Sequence, residues 1–197
     1  MNNIHLEPLG NGIEIYVSDS YHFSTDTILL ADFSLPKGRK KCAELGTGCG
    51  TIPLLWLRHN RNLEIDAVEI QRDACALAQK SVEYNNLGDK INIVNADLKE
   101  LKGILPFGCY DLVVCNPPYI PRADIDGLDN SVRDYEPHLA LDGGEDGLDF
   151  YRAISEKWRD ALTPGGRLYF EVGIGQADSV LRIMRAQGFG DIQIVKD

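Results

Sequence analysis

Short apolar strands and amphipathic helices alternate along most of this chain, which leaves few folds open to it. Lys41–Leu45 reads as a strand, followed by a glycine turn and an apolar helix from about Thr51 to His59. Leu63–Glu69 alternates like a strand, and Gln71–Asn86 then places Ala74, Leu77, Ala78 and Val82 at helical spacing. Ile91–Val94 and Tyr110–Cys115 are further strands. A helix from about Leu148 carries Phe150, Ile154, Trp158 and Leu162 on one stripe, and Pro164-Gly165-Gly166 is expected to stop it. Arg167–Val172 is the next strand. Ala177–Gln187 is a helix with Val180, Leu181 and Met184 inward, and Asp191–Val195 is expected as the last strand. Such alternation implies right-handed βαβ units: an α/β fold with a doubly wound, mostly parallel sheet covered on both faces.

Ligands of such sheets bind beyond the carboxyl ends of the strands, where the strand order reverses. No internal repeat, low-complexity tract or linker interrupts the pattern, so residues 1–197 are expected to be one domain. Residues 1–35 precede the first core strand as an extension, with a strand at Ile13–Val17 and a helix from near Thr25. Its Tyr21–Asp26 segment is a candidate lid. Ile120–Gly147 is a long connection with little periodicity, and loops of that length are usually functional. No apolar run approaches the roughly 20 residues that span a bilayer. The N-terminus also lacks a basic region followed by an apolar stretch, so a cytoplasmic location is expected, with no membrane partner. The five cysteines form no CxxC pair, which points to small buried residues rather than a disulfide framework or a metal site.

After the first strand comes Glu44-Leu45-Gly46-Thr47-Gly48-Cys49-Gly50, with glycines at alternate positions just ahead of a helix N-terminus. Such a turn lets the backbone approach a ligand closely. Glu69 ends the second strand, where a carboxylate accepts ribose hydroxyls. Asp97 ends the third, as Asn95-Ala96-Asp97, and is placed to accept from an adenine amino group. The rival reading is a dinucleotide oxidoreductase. Its GxGxxG fingerprint requires glycine where this chain has Thr51, whereas a ligand without a pyrophosphate does not require that spacing.

The fourth strand ends in Asn116-Pro117-Pro118-Tyr119, at the same end of the sheet. Consecutive prolines fix φ and remove N–H donors, and Asn116, preceding proline, is held extended. The ledge offers a side-chain carbonyl, a backbone carbonyl and an aromatic ring. These suit a planar NH2 group: two acceptors hold its hydrogens and push electron density onto nitrogen, while Tyr119 stacks on the flat group. Placement and preorganised dipoles then supply the acceleration, with no dedicated general base.

With these residues in place, the whole chain resembles the Rossmann-like class I S-adenosylmethionine-dependent methyltransferases, and Asn116–Tyr119 is similar to the NPPY motif of the branch that methylates nitrogen. The resemblance implies that Asn116 and the Pro117 carbonyl hold the target nitrogen while Tyr119 packs against it. It also implies S-adenosylmethionine as cofactor, bound by Glu44, Gly46, Gly48, Gly50, Glu69 and Asp97. Thr25 and Asp26, then Ile70, Leu98 and Asn116, complete the expected contacts. A cofactor-binding module without catalysis is the remaining alternative, against which an intact Asn116–Tyr119 argues.

Two resemblances bear on the substrate. Glu136–Leu141, Gly143–Arg152, Phe170-Glu171-Val172-Gly173 with Gln176, and Val195-Lys196-Asp197 resemble bacterial release-factor glutamine N5-methyltransferases, which act on a Gly-Gly-Gln loop. Tyr21–Ala31 instead resembles tRNA adenine N6-methyltransferases. The glutamine enzymes carry an N-terminal helical domain, for which residues 1–35 are too short, and a final antiparallel strand past Lys196-Asp197, where the sequence stops. The expected sheet therefore lacks that strand, unless Ile13–Val17 covers an edge.

The formal net charge is −10, which disfavours nucleic-acid binding, and placement matters more. Between Tyr119 and Phe150 stand nine acids, Asp124, Asp126, Asp129, Asp134, Glu136, Asp142, Glu145, Asp146 and Asp149, opposed by Arg122 and Arg133. The basic cluster Lys37, Arg39, Lys40 and Lys41, with Arg58 and Arg61, belongs at the opposite end of the sheet. A tRNA backbone would meet repulsion at the mouth. Glutamine in a peptide release factor is the preferred substrate, tRNA adenine the alternative.

Overall fold

The computed structural model describes residues 3–100, 103–129 and 137–196. It opens with an antiparallel hairpin of β1 (His5–Gly10) and β2 (Ile13–Val17). Next comes α1 (Thr25–Phe33), whose N-cap Ser24 accepts the Thr27 N–H. The main sheet follows: β3 (Lys40–Leu45), α2 (Thr51–His59), β4 (Leu63–Glu69), α3 (Arg72–Tyr84), β5 (Ile91–Asn95) and β6 (Tyr110–Cys115). After a 3-10 turn at Arg122–Gly127 come α4 (His138–Leu141), α5 (Asp149–Lys157), β7 (Leu162–Phe170) and α6 (Ala177–Ala186). The five sheet strands run parallel in the order β5-β4-β3-β6-β7.

Successive side chains of these strands serve opposite faces. Cys42, Ile65, Leu112 and Val114 meet Leu30, Ile52, Trp56 and Leu77 of α1, α2 and α3, together with Ile13 and Ile15 of the hairpin. Ala43, Leu45, Val68, Val113 and Cys115 meet Ile154 and Trp158 at the end of α5. Tyr151, Val180 and Met184 join α5 to α6. Both faces are covered, so the buried middle of the central strands is largely apolar, with Lys40, Lys41, Glu64, Glu69 and Asp111 toward the strand ends. One exception is Asp66, 5% exposed, whose carboxylate accepts from Tyr110 Oη at 2.7 Å and Asn92 Nδ2 at 2.8 Å and pairs with Lys41 at 2.8 Å. Among the described residues no helix is long and apolar enough to cross a membrane.

Three expectations are corrected. Ile13–Val17 covers no edge of the main sheet. It pairs with His5–Gly10, a strand the periodicity did not reveal, and packs on α3. Its outer edge is closed by side chains: the Tyr16 N–H donates to Ser81 Oγ at 2.9 Å and the Glu14 N–H to Asn85 Oδ1 at 3.0 Å. The helix carrying Ile154 ends at Lys157 rather than at Pro164, because Leu162 pairs with Tyr110 and is drawn into the sheet. Thr163–Gly166 then loop out of β7 before Arg167 resumes pairing with Leu112. Asp191–Val195 forms no strand: Asp191 has φ 49°, Ile192 packs on the α6 cluster, and Ile194 and Val195 are exposed.

Candidate active site

Strand order reverses between β3 and β6, and the register there fixes what stands beside what. Leu45 has Val68 as its Cα partner on one side and Cys115 on the other. The next residues, Gly46, Glu69 and Asn116, therefore emerge abreast, on strands about 4.8 Å apart. Val68 also partners Val94, and Cys115 partners Phe170, so Asn95 and Glu171 flank the row, with Asp97 two residues beyond the end of β5.

The glycine turn folds back over β4, with the Gly46 and Thr47 N–H groups donating to the Val68 carbonyl at 2.8 and 2.9 Å. Gly50 caps α2 at φ 90°, and a Cβ there would lie 3.3 Å from Ala78 Cβ, so both backbone angle and packing demand glycine. A Cβ on Gly46 or Gly48 would meet nothing within 4 Å, leaving the inner wall of the turn open to a ligand. Beneath the turn Glu44 is buried and accepts from Thr47 Oγ1. Burial, with Glu69 nearby, pushes its carboxyl well above the usual range against the opposing Thr47 bond.

Glu69 ties the turn to the next helix. Its oxygens accept the Gly48 and Gln71 N–H groups, each at 2.9 Å, and every carboxylate oxygen retains a second lone pair. Asn95 Nδ2 donates to the Glu69 and Ile70 carbonyls at 2.9 Å, and Ile70 is left 51% exposed at the rim. Asp97 Oδ1 accepts the Lys99 N–H at 2.8 Å, and the Leu98 carbonyl accepts Trp158 Nε1 at 3.2 Å. Open glycine backbone beside acidic acceptors and an exposed apolar side chain fits a nucleoside with hydroxyls and a planar base.

On the other side of Gly46, Pro117 is buried and Asn116 half-buried, and the Asn116 amide makes no side-chain hydrogen bond among the described residues. The ledge is held from behind by residues 141–147. The Ile120 N–H donates to the Leu141 carbonyl at 3.1 Å, the Gly143 N–H to the Ile120 carbonyl at 2.9 Å, and the Arg122 N–H to the Gly144 carbonyl at 2.8 Å. Contact is so close that a Cβ on Gly143 would lie 2.8 Å from Tyr119 Cα. Buried Tyr151 donates from its hydroxyl to the Glu171 carbonyl at 3.0 Å, anchoring the end of β7.

The acidic loop is less available than the residue count suggests. Asp142 pairs with Arg122 at 2.9 Å, and Arg152 pairs with both Asp146 and Asp149. Of the remaining acids, Asp134 and Glu136, like Arg133, lie outside the described residues. The basic cluster does sit at the amino ends of the strands, opposite the site, and it too is paired: Arg39 with Glu64, Lys40 with Asp111, Lys41 with Asp66.

Thr25 and Asp26 occupy the first turn of α1, and no side-chain hydrogen bond or ion pair among the described residues ties them to the glycine turn. Tyr21 comes closer: its hydroxyl donates to Gln71 Oε1 at 3.2 Å. Burial and the nearby Asp73 and Glu69 carboxylates raise its phenol above the ordinary value. Three residues at the site carry no role in the sequence pattern: Thr47, which binds Glu44; Gln71, which binds Glu69 and Tyr21; and Gly147, which packs against the Tyr119 carbonyl. Only the φ of 74° at Gly147 has a sequence signal, the residue type itself.

Comparison with known proteins agrees with this geometry. The family described as the methyltransferase small domain matches residues 16–132. A release factor glutamine methyltransferase of Geobacter sulfurreducens is 39% identical over 87% of this chain and 60% of its own length. One from Clostridium acetobutylicum is 40% identical over 80% of this chain and 55% of its own length. The chain thus spans under two thirds of these curated relatives. The fold is shared with the hMettl16 catalytic domain, solved in complex with MAT2A 3'UTR hairpin 6: TM-score 0.70, 22% identity, covering 91% of this chain and 69% of that one. It is also shared with a SAM-dependent methyltransferase from Agrobacterium tumefaciens: TM-score 0.62, 14% identity, 95% and 58% coverage. With more than half of its residues matched by the family, and with the parallel sheet, glycine turn and NPPY ledge in register, this chain belongs to the methyltransferase small domain family.

Proposed function

We propose that this protein is an S-adenosylmethionine-dependent N-methyltransferase that acts on the side-chain amide of a glutamine in a peptide release factor. The observation that carries the reading is the pairing of Leu45 with Cys115, which sets the glycine turn beside an Asn116 amide that has no other hydrogen bond among the described residues. The glutamine substrate rests on the release factor glutamine methyltransferases that are 39% and 40% identical over most of this chain. When bound, S-adenosylmethionine supplies a sulfonium methyl carbon as the electrophile.

Gly46 and Gly48 leave space for that group, Glu69 offers its remaining lone pairs to ribose hydroxyls, and Asp97 with Leu98 and Ile70 borders the base. Asn116 Oδ1 and the Pro117 carbonyl accept the two hydrogens of the substrate NH2, and the Tyr119 ring lies against its plane. An amide nitrogen is a poor nucleophile because its lone pair is delocalised; holding both hydrogens returns density to nitrogen and aims it. Neither carbonyl is a base, so the proton displaced by methylation leaves to water. Tyr21, reaching Gln71, closes the cofactor side as a lid.

The test is transfer from radiolabelled S-adenosylmethionine into extract from cells lacking the enzyme, followed by separate protease and ribonuclease treatment. Label released by protease and mapped to glutamine in a release factor supports the reading. Label released by ribonuclease overturns it in favour of an RNA substrate.

A further inference from the structure

Behind the ledge, one side-chain amide joins three loops. Gln176, the N-cap of α6, donates from Nε2 to the Tyr119 carbonyl at 2.8 Å and to the Gly147 carbonyl at 3.4 Å. Its Oε1 is buried and has no hydrogen-bond partner among the described residues. Two of the three loops close tightly on this amide. A Cβ on Gly147 would lie 2.3 Å from the Tyr119 carbonyl oxygen and 2.5 Å from Gln176 Nε2. A Cβ on Gly173 would lie 2.7 Å from Gln176 Oε1 and 2.8 Å from Tyr119 Cδ2.

Two carbonyls converging on one nitrogen call for a neutral donor with two hydrogens, which the primary amide supplies. Turning the amide over would set its oxygen against both carbonyls, so its orientation is determined. A buried acceptor left without a partner is rare and unfavourable. Here it accompanies a donor half that makes both contacts.

We propose that Gln176 is a positioning residue for methyl transfer: by holding the Tyr119 carbonyl against residues 143–147, it sets the Tyr119 ring and the Pro117 carbonyl at the reacting nitrogen. This rests on the reading of Asn116–Tyr119 as the nitrogen-holding ledge. Gln176 touches neither substrate nor cofactor, and acts through Tyr119.

The test uses the full chain carrying Gln176→Met, which keeps the volume and removes the donor, and Gln176→Glu. With a release factor as substrate, Gln176→Met should lower kcat on the order of 10²-fold while leaving the Kd for S-adenosylmethionine unchanged. Gln176→Glu should show a deficit that shrinks as pH falls, because the protonated acid offers one O–H to the Tyr119 carbonyl. Wild-type kcat in Gln176→Met, or a deficit in Gln176→Glu that ignores pH, overturns the proposal. A second measurement needs no substrate. Amide hydrogen exchange in Gln176→Met should quicken at Ile120, Arg122 and Gly143 while Gly46 and Thr47 stay protected. Unchanged exchange at those three amides overturns the proposal. If the wild-type protein proves inert toward release factors, the functional reading fails by itself, and the exchange result still decides the role of Gln176.

Discussion

Leu45 and Cys115 are held together in two ways: they are Cα partners in the parallel β3–β6 ladder, and the Cys115 thiol donates to the Leu45 carbonyl at 3.0 Å. Burial, with Glu44 and Glu69 nearby, pushes that thiol well above its usual range, so it stays protonated and remains a donor. The residues that follow, Gly46 and Asn116, inherit their separation from this contact.

Asn116→Ala tests the chemical half of the site alone. Affinity for S-adenosylmethionine, measured by calorimetry, should be nearly intact, while turnover falls on the order of a hundredfold or more, the scale for losing one transition-state hydrogen bond. Near-normal turnover would remove the amide-holding mechanism.

Gly50→Ala tests the turn. An L-residue in the left-handed region costs about 1–2 kcal/mol, and contact with Ala78 adds to it. The melting temperature should fall and cofactor affinity should weaken with it; a variant as stable as the parent would show that the helix entry relaxes.

Asp66 predicts an acid limb of stability. Burial alone would raise its carboxyl, but bonds from Asn92, Lys41 and Tyr110 outweigh burial and hold it below the ordinary value. Its contribution is therefore complete above the unfolded pKa of about 3.9 and lost as pH falls through the lower folded value. Urea unfolding from pH 7 to pH 2 should show less loss of stability in Asp66→Asn than in the parent. Parallel curves would mean that other carboxylates set the limb.

Ser81→Ala tests how the N-terminal hairpin is fastened. Ser81 Oγ accepts the Tyr16 N–H and donates to the Leu77 carbonyl, and the residue is wholly buried. Leaving that backbone donor without a partner should cost about 1–3 kcal/mol in denaturant unfolding. A change near zero would mean that the hairpin edge finds another acceptor.

The parts of this molecule legible in its sequence are those where residue type dictates backbone. Gly46, Gly48 and Gly50 at positive φ, and Pro117-Pro118 after a buried strand, announce a tight turn and a rigid ledge without any knowledge of partners. Leu63–Glu69 and Tyr110–Cys115 are read without shift because both faces are covered and their pattern is local. What escaped depends on distant partners. His5–Gly10 has only one buried residue, and its hairpin is held by Ser81 on α3 and by Asn85 at the helix's C-cap. Leu162 fits a helical stripe until Tyr110 claims it for the sheet. The acidic loop looked opposed by Arg122 and Arg133 alone because Arg152, which takes up Asp146 and Asp149, stands just past the counted stretch. Gln176 gives no periodic signal; its role appears only when Tyr119, Gly147 and Gly173 are brought to it.

Because Gly46, Glu69 and Asn116 each follow a residue paired in the two ladders that share Leu45, the site has no flexible assembly step of its own. Its geometry is part of the cooperative unit that unfolds last, the central strands. Heating should therefore abolish cofactor binding and the placing of Asn116 together, at the global melting midpoint. No intermediate temperature should leave a protein that binds its cofactor without also presenting the Asn116 amide.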